Sequence, residues 1–103
     1  VAIGFSHLGE TRECLRFVEV AQESGAITVG LTAAKGSSLA RAVDLPLFTE
    51  VRETAFRAGA MVSRIAQLAV VDCIFAGVAQ RRYDETIDAL QRTREVTRRM
   101  RGA

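Results

Sequence analysis

Two apolar periods alternate along this chain. Val1-Ala2-Ile3-Gly4-Phe5 is apolar at every position, the pattern of a strand buried on both faces of a parallel sheet. From about Thr11 to Ser24 the period turns helical. Cys14, Leu15, Phe17, Val18 and Ala21 form one stripe, with Arg12, Arg16, Glu19 and Glu23 on the opposite face. Gly25 follows where a left-handed helix cap is wanted. Ile27 to Leu31 is a second, β-branched strand that Thr32 ends. A small polar loop covers 33–38, and Leu39 to Val43 reads as a short helical turn closed by Asp44. Leu45 to Phe48 is a third strand, and Pro46, which cannot donate to a ladder, places it at an edge.

The stretch from Glu50 to Gly59 fits either a loop or an early helix. A long helix is expected from about Arg57 to Ala79 or Gln80, with Met61, Ile65, Leu68, Phe75 and Ala79 on a buried face. Tyr83-Asp84 interrupts the pattern. A last helix spans about Glu85 to Met100, with Ile87, Leu90 and Val96 as thin apolar contacts.

Strand, helix, strand, short helix, strand and two helices imply right-handed crossovers and an α/β fold, a parallel sheet covered by helices. Three strands are few for such a sheet. Val1 to Phe5 looks central, yet no segment in the sequence precedes it to cover its outer edge. The expectation is a truncated portion of a larger fold, completed by N-terminal strands or by a second chain.

Composition narrows the class. The chain has 103 residues, 49% of them hydrophobic and 25% charged, which suits one small globular domain and not a disordered chain. No uninterrupted apolar run reaches the roughly 20 residues of a membrane span, and Val1 to Phe5 is too short for a signal core, so a cytoplasmic protein is expected. Cys14 and Cys73 lie beside apolar neighbours and read as buried, reduced thiols. Two cysteines and one histidine, His7, do not make a metal site, and no metal or cofactor is expected. The net charge is +2, with arginines gathered in the last quarter, from Arg81 to Arg101. Acidic residues among them favour a solvated helix over a nucleic-acid surface, and no aromatic residues interleave as in single-strand binders.

Candidate chemistry gathers where ligands bind in parallel α/β sheets, beyond the carboxyl ends of the strands. Three segments meet there: Ser6 to Thr11, Thr32 to Ser38, and the stretch after Phe48 that holds Glu53. Ser6-His7-Leu8-Gly9-Glu10-Thr11 joins a strand to a helix start, where backbone N–H groups, hydroxyls and the helix dipole can hold one phosphate. The plainer reading is an ordinary helix start with Thr11 as N-cap. If helical, Glu53, Arg57, Ala60 and Arg64 share a stripe that either meets a polyol and an anion or forms a solvated ion pair. Asp72 falls inside the apolar face, where a structural hydrogen bond or a subunit contact is favoured over catalysis. His7 either shapes the loop and touches ligand or serves as a general acid/base.

The run Ser6-His7-Leu8-Gly9-Glu10-Thr11, Gly25-Ala26 ahead of a strand ending at Thr32, and Ser38-Leu39-Ala40 with Asp44 resemble the sugar isomerase (SIS) domain. Phe56 to Leu68, above all Ser63-Arg64-Ile65-Ala66-Gln67-Leu68 followed by Asp72, resembles the RpiR/MurR family of bacterial transcriptional regulators. The resemblance covers nearly the whole chain and the C-terminal part of the family's domain. It implies a flavodoxin-like three-layer sandwich that binds phosphosugars and dimerises, joined to an N-terminal helix-turn-helix domain that binds DNA. By resemblance Ser6 and Thr11 hold phosphate, with His7 and Gly9 beside them, Ser37 or Ser38 lines the site, and Glu53 reads a sugar hydroxyl. Leu8 departs from the family pattern, which commonly has serine there. The only lysine, Lys35, sits in the wrong loop for an isomerase. The resemblance therefore implies a phosphosugar sensor without catalytic residues. A phosphosugar isomerase or lyase with Glu53 as base, and a dimerisation module without ligand, stand as alternatives.

Overall fold

The computed structural model describes residues 1–50 and 61–102. They form β1 (Ala2–Phe5), α1 (Arg12–Glu23), β2 (Thr28–Thr32), α2 (Ser38–Ala42), β3 (Leu45–Phe48), α3 (Met61–Arg81) and α4 (Tyr83–Met100). The chain divides into two compact units, Val1–Leu68 and Ala69–Ala103.

The first unit is a parallel sheet in the order β1-β2-β3 with helices packed on it. Ile3 pairs with Val29 and Leu31 with Leu47. All three expected strands are present, and among the described strands β3 with Pro46 lies at an edge, as expected. Among the described strands β2 lies in the middle and β1 pairs with β2 on one side.

α1 and α2 cover one face of this sheet. Gly4 and Gly30 are paired in register, and their lack of side chains lets Val18, Leu39 and Val43 lie against the strands. Val18, Leu39 and Val43 form the core, with Cys14 and Leu15 packed beside them. Burial pushes the Cys14 thiol above its ordinary pKa, so it stays protonated and inert. Phe17, expected in the buried stripe of α1, is half exposed, because the stripe that meets the sheet is only as wide as Cys14, Leu15 and Val18. α1 stops as the sequence suggests. Gly25 takes φ 85°, and Ala26 N–H donates to the Ala21 carbonyl at 3.0 Å while Gly25 N–H donates to Gln22 at 2.9 Å.

At the other end of β2, Thr28 is fully buried and fully bonded. Its amide and hydroxyl donate to Asp44 Oδ2 at 2.8 and 3.1 Å, and its oxygen accepts from Gln22 Nε2 and from the Asp44 amide. This knot fixes where α2 returns to the sheet. The sheet's second face is the more open one. Phe5 and Leu45 are exposed there, while Leu31, which pairs with Phe5 and Leu47, is buried.

α3 differs from its expected packing. Met61, Ile65, Leu68 and Phe75 were expected to be buried and are exposed, and Ser63 is the only buried residue of this helix. Asp72 and Cys73, expected within the packed face, are exposed as well. The apolar period of α3 is real, but no described element covers it. Tyr83 and Asp84 do not break the helical pattern. They open α4, and the break is Arg82 alone, at φ −125°. Helical bonding continues through it, from Arg82 N–H to Val78 and from Thr86 N–H to Arg82. Arginines in and just before α4 pair with nearby acids, as the solvated reading expects: Arg82 with Glu85, Arg92 with Asp88, and Arg98 and Arg99 with Glu95.

Candidate functional site

The site is built where β1 and β2 end. Ser6 N–H extends the ladder to the Leu31 carbonyl at 3.0 Å. The His7 carbonyl then accepts both the Ala33 amide and the Thr32 hydroxyl, each at 3.0 Å, and the Thr32 oxygen accepts the Ala34 amide at 3.1 Å. Thr32 is fully buried and ties the two strand ends together with one hydroxyl. The third strand joins through the Thr49 amide, which donates to the Thr32 carbonyl at 3.1 Å.

The turn closes on itself at Ser6 and Gly9. Gly9 N–H donates to the Ser6 carbonyl at 3.2 Å and to its hydroxyl at 3.1 Å. Gly9 takes φ 72°, and a Cβ there would lie 2.1 Å from Ser37 Oγ, so only glycine fits. The buried Ser6 hydroxyl lies 2.8 Å from the hydroxyl of Thr11, which is exposed.

Thr11 occupies the N-cap position of α1 in extended conformation, yet its side chain makes no capping bond. Its hydroxyl is turned toward Ser6 instead. The first-turn amides of Arg12, Glu13 and Cys14 have no intrahelical acceptor, as at any helix start, and here no N-cap side chain supplies one. They point the positive end of the α1 dipole at the turn. The helix start at Thr11 is therefore present without the cap bond of the plainer reading.

The second segment is tied down more firmly than the sequence suggested. Ser37 is buried and caps α2, its hydroxyl accepting the Ala40 amide at 3.3 Å. Ser38 donates its amide to Glu10 Oε1 at 2.8 Å and its hydroxyl to Glu10 Oε2 at 2.6 Å. The Ser38 hydroxyl, then its amide, and the nearby Arg41 charge hold the Glu10 carboxyl below the ordinary glutamate pKa. Both serines thus lie beside the turn, with their hydroxyls already bonded within the protein.

His7 is half buried, and its Nδ1 has no hydrogen-bond partner among the described residues. Leu8 is largely exposed. Ser6, His7, Gly9, Thr11, Ser37 and Ser38 are brought into one neighbourhood at the carboxyl end of the sheet. Glu53, with Arg57 and Ala60, lies outside the described residues. Reasoning from sequence missed Glu10 and Thr32 as the residues that bind the two loops. An acid within a Ser/Gly/Thr turn and a threonine closing a strand are the signals that could have raised them.

The SIS domain family matches residues 1–77, and the chain belongs to it. It is 47% identical over 96 residues to an uncharacterized HTH-type transcriptional regulator, TTE0211, of Caldanaerobacter subterraneus subsp. tengcongensis, covering 93% of this chain and 34% of that protein. It is 37% identical over 101 residues to the uncharacterized HTH-type transcriptional regulator YbbH of Bacillus subtilis, covering 97% of this chain and 35% of that protein. The chain thus spans about a third of the length of the curated relatives it matches.

Proposed function

We propose that this chain is the phosphosugar-sensing part of an RpiR-like transcriptional regulator in the cytoplasm, whose DNA contacts come from a helix-turn-helix domain elsewhere in the protein. Family membership and two relatives named as HTH-type transcriptional regulators support this reading. The observation that carries it is the orientation of Thr11. Its hydroxyl leaves the α1 start uncapped and joins Ser6, which gathers two hydroxyls and a helix dipole at one point. Phosphate is the ligand group that such a point attracts. The sugar end lies toward the 33–38 loop, and the family resemblance assigns Glu53 to a sugar hydroxyl. Ligand binding shifts the populations of two regulator states by its differential affinity for them.

In this reading the protein senses the sugar and does not transform it; an isomerase or lyase with Glu53 as base is the alternative, and turnover separates the two. The exposed apolar stripe of α3, including Met61, Ile65, Leu68 and Phe75, supports a homo-oligomer in which a second copy covers it. Calorimetric titration of the full-length protein with a panel of phosphosugars tests the proposal. Saturable binding of at least one of them, without turnover, is expected; no binding across the panel, or turnover lost in Glu53→Gln, rejects it.

A further inference from the structure

Glu10 stands apart from the residues that form the turn. Its carboxylate crosses to the start of α2, where both oxygens are engaged by Ser38. Two backbone ties run alongside, from Leu39 N–H to the Gly9 carbonyl and from Ala33 N–H to the His7 carbonyl. Between them the loop is open: Lys35 and Gly36 are exposed, and a Cβ on Gly36 would meet nothing within 4 Å. Where the loop does meet the turn there is no slack, since Ser37 fills the space beside Gly9.

We propose that Glu10 is a positioning residue that latches the 33–38 loop onto the Ser6–Thr11 turn, so that a ligand meets both in one fixed geometry. The inference rests on the ligand-binding reading of that turn. Glu10 is not itself a phosphate contact. Its two oxygens are spent on Ser38, and its negative charge repels an anion. It therefore also directs the phosphate to the Ser6 and Thr11 side of the turn. The tie is solvent-exposed and charge-assisted, so it is strong enough to order a loop and weak enough to open.

Hydrogen exchange of the Ser38 and Leu39 amides, together with titration by inorganic phosphate, tests this in the full-length protein. In Glu10→Ala, exchange of these amides quickens roughly three- to tenfold and phosphate binding weakens by a similar factor. Glu10→Gln, whose amide accepts from the Ser38 N–H and donates to its hydroxyl, stays within about twofold of wild type in both. Unchanged exchange in Glu10→Ala overturns the latch. Faster exchange with unchanged phosphate affinity overturns its effect on ligand while leaving the ligand reading intact. Absence of phosphate binding in the wild type counts against the ligand reading itself, and the exchange rates alone then decide whether the latch exists.

Discussion

The hydroxyls of Ser6 and Thr11 lie 2.8 Å apart, one buried at the end of β1 and the other exposed at the start of α1. This bond takes the place of a helix cap. A threonine bonded to N2 or N3 would stabilise α1 by about 1 kcal/mol, and Thr11 makes no such bond. Stability forgone at a helix start, in a turn that faces the ligand end of a parallel sheet, is consistent with a site kept open for an anion.

Gly9→Ala should lower stability by about 1–3 kcal/mol, read as a fall in the thermal midpoint. The new methyl meets Ser37 Oγ and Cβ at 2.1 and 2.3 Å, and the backbone is held at φ 72° by the Ser6 and Leu39 bonds. Ser37→Gly in the same protein relieves the clash and recovers part of the loss, although the left-handed backbone strain remains.

Asp44→Ala should cost about 1–3 kcal/mol, because it strips the acceptor from the buried Thr28 amide and hydroxyl. Chemical denaturation checks it. Asp44→Asn, which keeps one carbonyl oxygen in place, costs less.

Leu39→Ala should destabilise by about 2–5 kcal/mol. Leu39 is fully buried, and it joins α2 to both Gly4 of β1 and Gly30 of β2. Leu90→Ala on α4 is the comparison: that side chain is half exposed, and its loss should be within about 0.5 kcal/mol.

The Glu10 latch sets a pH dependence. Its carboxyl pKa is lowered in the folded protein, by the Ser38 hydroxyl first, the Ser38 amide next and then the Arg41 charge. A lowered carboxyl pKa stabilises the protein above the unfolded glutamate value, and this contribution is lost as pH falls through the folded value. An NMR titration of the Glu10 side-chain carboxyl carbon should therefore show a midpoint below that of an unfolded glutamate. In Ser38→Ala the midpoint should move back up.

Much of this architecture was legible in the sequence, and the exceptions have physical causes. Strand and helix existence followed from apolar period, because Ile3, Val29 and Val18 sit on backbones whose period decides what they face. The exposure of Phe75, Asp72 and Cys73 did not follow: a helical stripe predicts a face to be covered, not what covers it. At the site, Ser6, Gly9 and Thr11 were visible from their residue types. Glu10 was not singled out, because its role depends on Ser38, 28 residues away, and only the fold brings the two together.

The most direct test of the central claim is calorimetric titration of the full-length protein carrying Ser6→Ala and Thr11→Val with a phosphosugar that the wild type binds. Two lost hydrogen bonds to a charged group predict a fall in affinity of roughly a hundredfold or more, with the unphosphorylated sugar binding no more weakly than to wild type. Unchanged affinity for the phosphosugar, in a variant whose thermal midpoint shows it to be folded, would contradict the account.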